Sequence, residues 1–228
     1  ALKPAKSLMF VGHYGPAAAV AHRRLRLWHC FVAVQLLDIL WAPLVLLGVE
    51  KVRITPHYTA SNHFDLYYMP FSHSLVMAVF WSIAATVVYY VLRRGAGWIG
   101  AAVIGALVFS HWALDFLMHK PDLALWFGGP KVGLALWDHR PISFGLEMGL
   151  FILGMGVYWT QSAARNFLGR ILPAFVIVLG IAAQVFGNWG PPPASASEAA
   201  LSAIVAYAIF AGFAATIDAT RAPRPVIS

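Results

Sequence analysis

Charged residues and cysteine are the side chains that this sequence has least of. Asp, Glu, Lys and Arg together make up 11% of its 228 residues, whereas hydrophobic residues make up 60% and the mean hydropathy is +0.71. Soluble domains of ordinary composition are about 25% charged, so this composition indicates a polytopic membrane protein. The single cysteine, Cys30, excludes an intrachain disulfide and a cysteine-based zinc site.

Six long apolar stretches predict an all-α, polytopic integral membrane helix bundle. They cover residues 30–49, 75–92, 97–118, 143–161, 168–187 and 199–217. Pro16 predicts a short helix over 16–25, too short to span a bilayer, which we interpret as an interfacial or re-entrant segment. We treat 1–228 as a single membrane domain, with a metal-site bundle over 10–150 and two scaffold helices over 168–217.

The net charge of +7 comes mainly from residues in short loops, so it indicates topology and predicts no nucleic-acid partner. Basic residues precede the first span and follow the second, fourth and sixth. They are Lys3, Lys6, Arg23, Arg24, Arg26, Arg93, Arg94, Arg165, Arg170, Arg221 and Arg224. The positive-inside rule then places both termini in the cytoplasm, in a cell (inner) membrane, with the loops at 50–74 and 119–142 outside. Lys51 and Arg53 lie in the loop at 50–74, which this orientation places outside, and so they oppose it.

The most informative motif is the segment His111-Trp-Ala-Leu-Asp115-Phe-Leu-Met-His119, at the end of the third span. Its ionisable residues recur every four positions, so on a helix they occupy a stripe about 80° wide. Such groups are costly in an apolar span unless they are paired, and a bound cation would satisfy all three. An interhelical hydrogen-bond network without a metal is the alternative.

Further nitrogen and oxygen donors predict that this motif belongs to a larger metal site, which suits zinc, with iron or manganese as other candidates. The predicted ligands are His13, Asp38, His73, His111, Asp115, His119 and Glu147. The three acids are the only ones within the spans, and no Lys or Arg lies in those spans to neutralise them. Helical rise places Asp38 roughly 8 Å nearer the bilayer centre than Asp115, so the first span must be shifted or tilted for both to share a site. Asp38 could instead cap a broken helix or pair with Arg26 or His29.

The order of these residues resembles the YdjM-like family of membrane-bound, metal-dependent hydrolases, which is grouped with zinc-dependent phospholipase C and zinc nucleases. The matching positions are His13, Asp38 and His73, then His111 and Asp115 as a His-x-x-x-Asp pair, then His119. The resemblance covers about residues 10–150 and implies a helical hydrolase with two or three zinc ions that cleaves phosphoester bonds. Ala1 stands where that group has Trp, and Ser143 stands where it has the His of a His-x-x-x-Glu pair.

We therefore expect an integral-membrane, zinc-dependent hydrolase that acts on a phosphoester in a lipid or lipid-linked substrate, taken from the membrane lipid at the outer face. Asp38 or Asp115 would orient the attacking water as a general base. His139 and Arg140 are candidate substrate contacts, because a guanidinium can bind phosphate through two hydrogen bonds. The alternative is a non-catalytic accessory or structural subunit of a larger membrane protein complex, with the last two spans docking on partner helices. A transporter is disfavoured, because the sequence shows no internal repeat.

Overall fold

The computed structural model describes residues 11–22 and 25–224, and these form the predicted all-α bundle. Its α-helices are α1 Tyr14–Val20, α2 Leu27–Val34, α3 Leu36–Leu46, α4 Leu75–Leu92, α5 Gly97–Met118, α6 Arg140–Gln161, α7 Phe167–Trp189 and α8 Ala196–Thr220. Short antiparallel strand pairs join β1 Lys51–Ile54 to β2 Phe64–Tyr68, β3 Leu123–Ala124 to β4 Lys131–Val132, and β5 Ser162–Ala164 to β6 Arg221–Pro223. The helical fold class is confirmed.

Five helices, α4 to α8, are each long and apolar enough to cross a membrane, which supports a membrane protein. The predicted first span is instead a bent pair, because α2 and α3 meet at an angle of 50°. Gln35 separates them with non-helical backbone angles of φ −99° and ψ 9°. Counting the bent pair as one span gives the predicted total of six. The short N-terminal helix begins at Tyr14, before Pro16, and ends at Val20.

Close backbone contact with α6 holds α1 inside the bundle. A Cβ atom added at Gly154 would overlap the backbone of Gly15, and one added at Gly12 would lie 2.8 Å from the Cα of Glu147. Only residues without a side chain allow the two segments to approach so closely. The contact buries the 3-10 turn Val11–His13, which precedes α1.

The two long loops cover one end of the bundle, where α5 ends and α4 and α6 begin. Ser61 N–H donates to Trp137 O at 3.0 Å, which joins the loops through their backbones. The Lys120 ammonium donates to Tyr58 O at 2.8 Å, which adds a second link. We call this end the loop-covered end.

The opposite end, which we call the basic end, carries the β5–β6 pair. The described arginines used for the predicted orientation lie at this end, at the starts of α2 and α7 and at the ends of α4, α6 and α8. Lys3, Lys6, Arg23 and Arg24, which the same prediction used, lie outside the described residues. The loop-covered end also has basic residues, but it has at least as many acids: Lys51, Arg53, Lys120, Lys131 and Arg140 against Glu50, Asp65, Asp122, Asp138 and Glu198. The net positive charge of the described residues therefore lies at the basic end.

Candidate metal centre

Six of the seven predicted metal ligands converge at the loop-covered end. They are His13, Asp38, His73, His111, Asp115 and His119. Three of them come from the first half of the chain: His13 from the turn before α1, Asp38 from α3, and His73 from the residue before the N-cap of α4. The other three come from the C-terminal part of α5: His111 and Asp115 from successive turns, and His119 from the residue after its last turn. The four imidazoles and Asp115 are buried. The bend at Gln35 accounts for the reach of Asp38, which an unbroken first span would have kept too deep.

Asp115 lies at the centre of the cluster. Its Oδ1 atom is 3.2 Å from His13 Nε2 and 3.5 Å from His119 Nε2. Its Oδ2 atom is 3.3 Å from His111 Nε2 and 3.5 Å from His73 Nε2. Each carboxylate oxygen therefore faces its own pair of imidazoles.

Asp38 approaches the second of these pairs from the other side. Its Oδ1 atom is 3.3 Å from His73 Nε2 and 3.7 Å from His111 Nε2. Its Oδ2 atom accepts a hydrogen bond of 2.6 Å from the hydroxyl of Tyr207 on α8. The two histidines therefore lie between two carboxylates, and α8, which the sequence indicated as scaffold, contributes to the site.

The outer nitrogens of His111 and His119 contact acceptors away from the cluster. His111 Nδ1 lies 2.7 Å from the carbonyl oxygen of Val34, the last residue of α2, where a helix end leaves carbonyls without intrahelical partners. His119 Nδ1 lies 2.8 Å from Asp122 Oδ1. A carbonyl and a carboxylate only accept, so both Nδ1 atoms carry hydrogen, and a neutral imidazole then directs the lone pair of Nε2 inward.

The outer nitrogen of His73 is held by a relay of two side chains. Its Nδ1 atom lies 2.6 Å from the Ser72 hydroxyl, which in turn donates to Glu50 Oε2 at 2.5 Å. Glu50 Oε1 accepts from the backbone N–H groups of Phe71 and Ser72. Because the serine hydrogen is used by Glu50, the hydroxyl accepts from His73 Nδ1–H, and the Nε2 lone pair of His73 also points inward. A partner of this kind outside the ligand shell is typical of metal-bound histidines.

These residues fit a bound zinc ion. A neutral imidazole held in this way turns its Nε2 lone pair toward carboxylate oxygens, so the cluster needs positive charge between them, from a metal ion or from protons on the histidines. Four of the six nitrogen–oxygen separations in the cluster lie between 3.3 and 3.5 Å, beyond the usual hydrogen-bond range. Two ligands of a tetrahedral zinc at its usual bond lengths are about 3.4 Å apart. Asp115 Oδ2 has no hydrogen-bond partner among the described residues, as expected of an oxygen reserved for a cation.

The two cluster histidines outside the spans, His119 and His13, differ in their electrostatics. Burial lowers the pKa of His119, but the carboxylates of Asp122 and Asp115 outweigh burial and raise it to about 10. Burial and the neighbouring His111 lower the pKa of His13. A metal-free cluster would therefore hold a proton on His119, which an incoming divalent cation would displace.

A cavity of about 60 Å³ adjoins the cluster, large enough to hold water. Five of the six converging residues line it, together with Tyr207. The rest of its wall is apolar and consists of Trp41, Phe64, Leu66, Met69, Trp137, Ala199 and Ala203. The cavity thus joins a polar floor to apolar walls.

The remaining predicted site residues lie elsewhere. Glu147, the seventh predicted ligand, is buried and accepts hydrogen bonds from Trp137 Nε1 at 3.4 Å and from Gln184 Nε2. Its partner Trp137 packs against the cluster, since the centroid of the Trp137 ring is 4.3 Å from that of the His119 ring. His139 is exposed, and the Arg140 guanidinium lies 5.5 Å from the centroid of the Trp189 ring. Neither of these two residues lines the cavity.

Three residues of the centre were not predicted as part of it. Asp122 follows His119 by three positions, a spacing that could have suggested a hydrogen bond. Glu50 and Tyr207 gave no such signal, because each is far in sequence from the ligand side chain it serves. Compared with known proteins, the chain matches no family model, no curated protein and no solved structure.

Proposed function

We propose that this protein is an integral-membrane, zinc-dependent hydrolase that cleaves a phosphoester bond in a lipid or lipid-linked substrate. The observation that carries the proposal is the inward convergence of four Nε2 atoms on two carboxylates, with three of the four imidazoles oriented by outer acceptors. Nitrogen and carboxylate donors without cysteine, as in His₃ and His₂Glu sites, are typical of zinc hydrolases and related catalytic zinc sites.

We propose two zinc ions rather than three. Ligand atoms lie within 4.8 Å of one another in two sets, His13 with His111 and Asp115, and Asp38 with His73 and His111. His111 Nε2 can bind only one ion, so a second ion would rely on the Asp115 oxygen that faces His13 and His119. Glu147, the ligand that a third ion would need, is already paired with Trp137 and Gln184.

Zinc bound here would polarise a phosphoryl oxygen and lower the pKa of a bound water to about 7. The general base is then better assigned to Asp38 than to Asp115. Both side chains line the cavity, but that of Asp38 is 18% exposed, whereas that of Asp115 is 5% exposed and is surrounded by four imidazoles. The Tyr207 hydroxyl would hold the Asp38 carboxylate in the orientation needed to accept a proton.

The apolar cavity wall supports a lipid substrate. Trp41, Ala199 and Ala203 belong to helices of the bundle, so the wall continues into the apolar spans. A lipid could present its phosphate to the cluster while its chains stay in the bilayer. We propose that the protein lies in the cell (inner) membrane. By the positive-inside rule, its basic end would face the cytoplasm and the metal centre would face the outer side of the membrane.

Elemental analysis of protein purified in mild detergent, without chelator or a histidine tag, tests the metal. We expect about two zinc ions per chain in the wild type and in the control His57→Asn, an exposed loop position. The His57 backbone φ of 59° is one that Asn tolerates. We expect His111→Asn to lose most of the zinc while remaining folded. A wild type that contains no metal and cannot be reloaded would refute the proposal and favour an accessory subunit.

Hydrolysis is tested with phosphoester lipids in mixed micelles. We expect phosphate or headgroup release by the zinc-loaded wild type, and loss of about 100-fold or more in Asp38→Asn. Asp65→Asn, in strand β2, where Asp65 pairs with exposed Arg53 at 3.6 Å, is the matched control and should keep full activity. If zinc-loaded protein hydrolyses no phosphoester, whether a lipid or a water-soluble compound, the metal site would stand and the proposed hydrolysis would be refuted.

A further inference from the structure

A second cavity, of about 1040 Å³, lies at the basic end, opposite the metal centre. It opens between the start of α2 and the ends of α6 and α8. Four arginines line it, namely Arg26, Arg165, Arg221 and Arg224, against one acid, Asp218. The function proposed above makes no use of this cavity.

The single acid does not neutralise these arginines. Both Asp218 carboxylate oxygens accept backbone N–H groups at the start of α2, from Leu27 at 3.1 Å and from Trp28 at 3.1 Å. Among the described residues, Arg26, Arg165 and Arg224 form no ion pair within 4.0 Å. The cavity therefore carries an excess of positive charge.

Arg221 is the buried member of this group, and it too has no ion pair within the part of the chain that the structure describes. The residue is 4% exposed, and its guanidinium donates to Ser162 Oγ and to the carbonyl oxygens of Ser162, Gly169 and Trp159. All four acceptors are neutral, and they use four of the five guanidinium N–H groups. Burial lowers the pKa of Arg221, so an anion nearby would relieve an unfavourable charge.

We propose that this cavity binds the phosphate of an anionic phospholipid headgroup. Guanidinium groups bind phosphate through paired, charge-assisted hydrogen bonds. Basic pockets between the ends of membrane helices are suited to anionic headgroups. The cavity volume exceeds what one phosphate ion needs, and two of the helices that frame it, α6 and α8, are long enough to span a bilayer, which favours a lipid over free phosphate.

Thermal unfolding in an uncharged detergent tests this site with three probes. They are dihexanoyl phosphatidylglycerol, dihexanoyl phosphatidylcholine and inorganic phosphate, titrated at equal concentrations. A ligand that binds only the folded protein raises the unfolding temperature, and the stabilisation grows with the logarithm of 1 + [ligand]/Kd. We expect phosphatidylglycerol to raise it, with much smaller effects of the other two probes.

Two double variants, each of which removes two positive charges, test whether phosphatidylglycerol binds in the cavity. Arg165→Ala with Arg224→Ala removes two exposed cavity arginines, whereas Arg94→Ala with Arg170→Ala removes two exposed arginines that do not line it. We expect the first pair to weaken the apparent affinity for phosphatidylglycerol about tenfold or more and the second to leave it within about twofold. Zinc content should be unchanged in both, which distinguishes this site from the metal centre.

Each other outcome overturns part of the proposal. An equal shift with inorganic phosphate would assign the site to a soluble phosphate and overturn the lipid. Equal shifts with phosphatidylcholine, or equal losses in both double variants, would indicate detergent or general surface effects and overturn the site itself. Because the wild type alone distinguishes the three probes, the test remains valid if a variant fails to fold.

Discussion

Tyr207 and Asp38 join the last helix of the bundle to the bent first span through a hydrogen bond of 2.6 Å from the phenol to Oδ2. The other oxygen of Asp38 faces His73 and His111. One residue of α8 therefore sets the orientation of a carboxylate in the metal centre.

Replacing Tyr207 with Phe should reduce hydrolysis about tenfold while zinc remains bound, because Asp38 loses the donor that orients it and keeps its contacts with the histidines. Zinc content and steady-state rates measured on the same preparation check this. Tyr90→Phe, at an exposed position of α4, is the control and should change neither quantity. Full activity in Tyr207→Phe would show that the bond serves stability alone.

Replacing Asp122 with Asn should weaken zinc binding about 10-fold to 100-fold, because the carboxylate holds His119 Nδ1–H at 2.8 Å and keeps Nε2 directed at the cluster. Competition with a chelator of known affinity measures this change. Asp138→Asn is the matched control in the same loop, since Asp138 is 40% exposed and pairs with Lys120 at 3.4 Å. Equal zinc affinities in the two variants would contradict a role of Asp122 at the metal centre.

Replacing Gly154 with Ala should destabilise the protein by about 1–3 kcal/mol and reduce zinc content, because the new methyl group would push α1, and with it His13, away from α6. Gly156→Ala, two residues along the same helix, has nothing within 4 Å of the added Cβ. This control should be neutral or slightly stabilising, as Ala favours helix over Gly. Thermal unfolding and elemental analysis of both variants provide the comparison.

Mild acid should loosen the loop that contains His63. Burial and nearby His57 lower the pKa of His63 below its ordinary value of 6.5, and His63 Nδ1 accepts the His57 N–H at 2.9 Å. The unfolded loop binds a proton more readily than the folded loop, so stability is complete above about pH 6.5 and falls as the pH drops below it.

Hydrogen exchange of peptides covering residues 55–63 should therefore increase between about pH 7.5 and about pH 5.5, after correction for the intrinsic rate. His63→Gln keeps an acceptor for His57 N–H but cannot titrate in this range, so its exchange should stay constant. The same increase in His63→Gln as in the wild type would assign the pH dependence to another group.

The helices could be predicted from sequence because membrane helices satisfy their backbone hydrogen bonds internally, and apolar length alone marks them. The spacing of His111, Asp115 and His119 likewise predicts one helical face, since all three lie within nine residues. Local periodicity is sufficient for features of this kind. It is insufficient where the backbone departs from a regular helix, as at Gln35, where the bend brings Asp38 to the cluster and leaves the Val34 carbonyl for His111.

By itself, the sequence determined the helical class, the positions of the spans, the concentration of basic residues between them and the donor types available to a metal. Only the tertiary structure decided which donors meet: His13 enters because Gly12, Gly15 and Gly154 allow α1 to lie against α6. Glu147 is instead paired with Gln184 of α7. Helix formation depends on neighbours within a few residues, so the sequence reports it directly. The site depends on packing between distant segments, such as those of Asp38 and Tyr207, which are 169 positions apart.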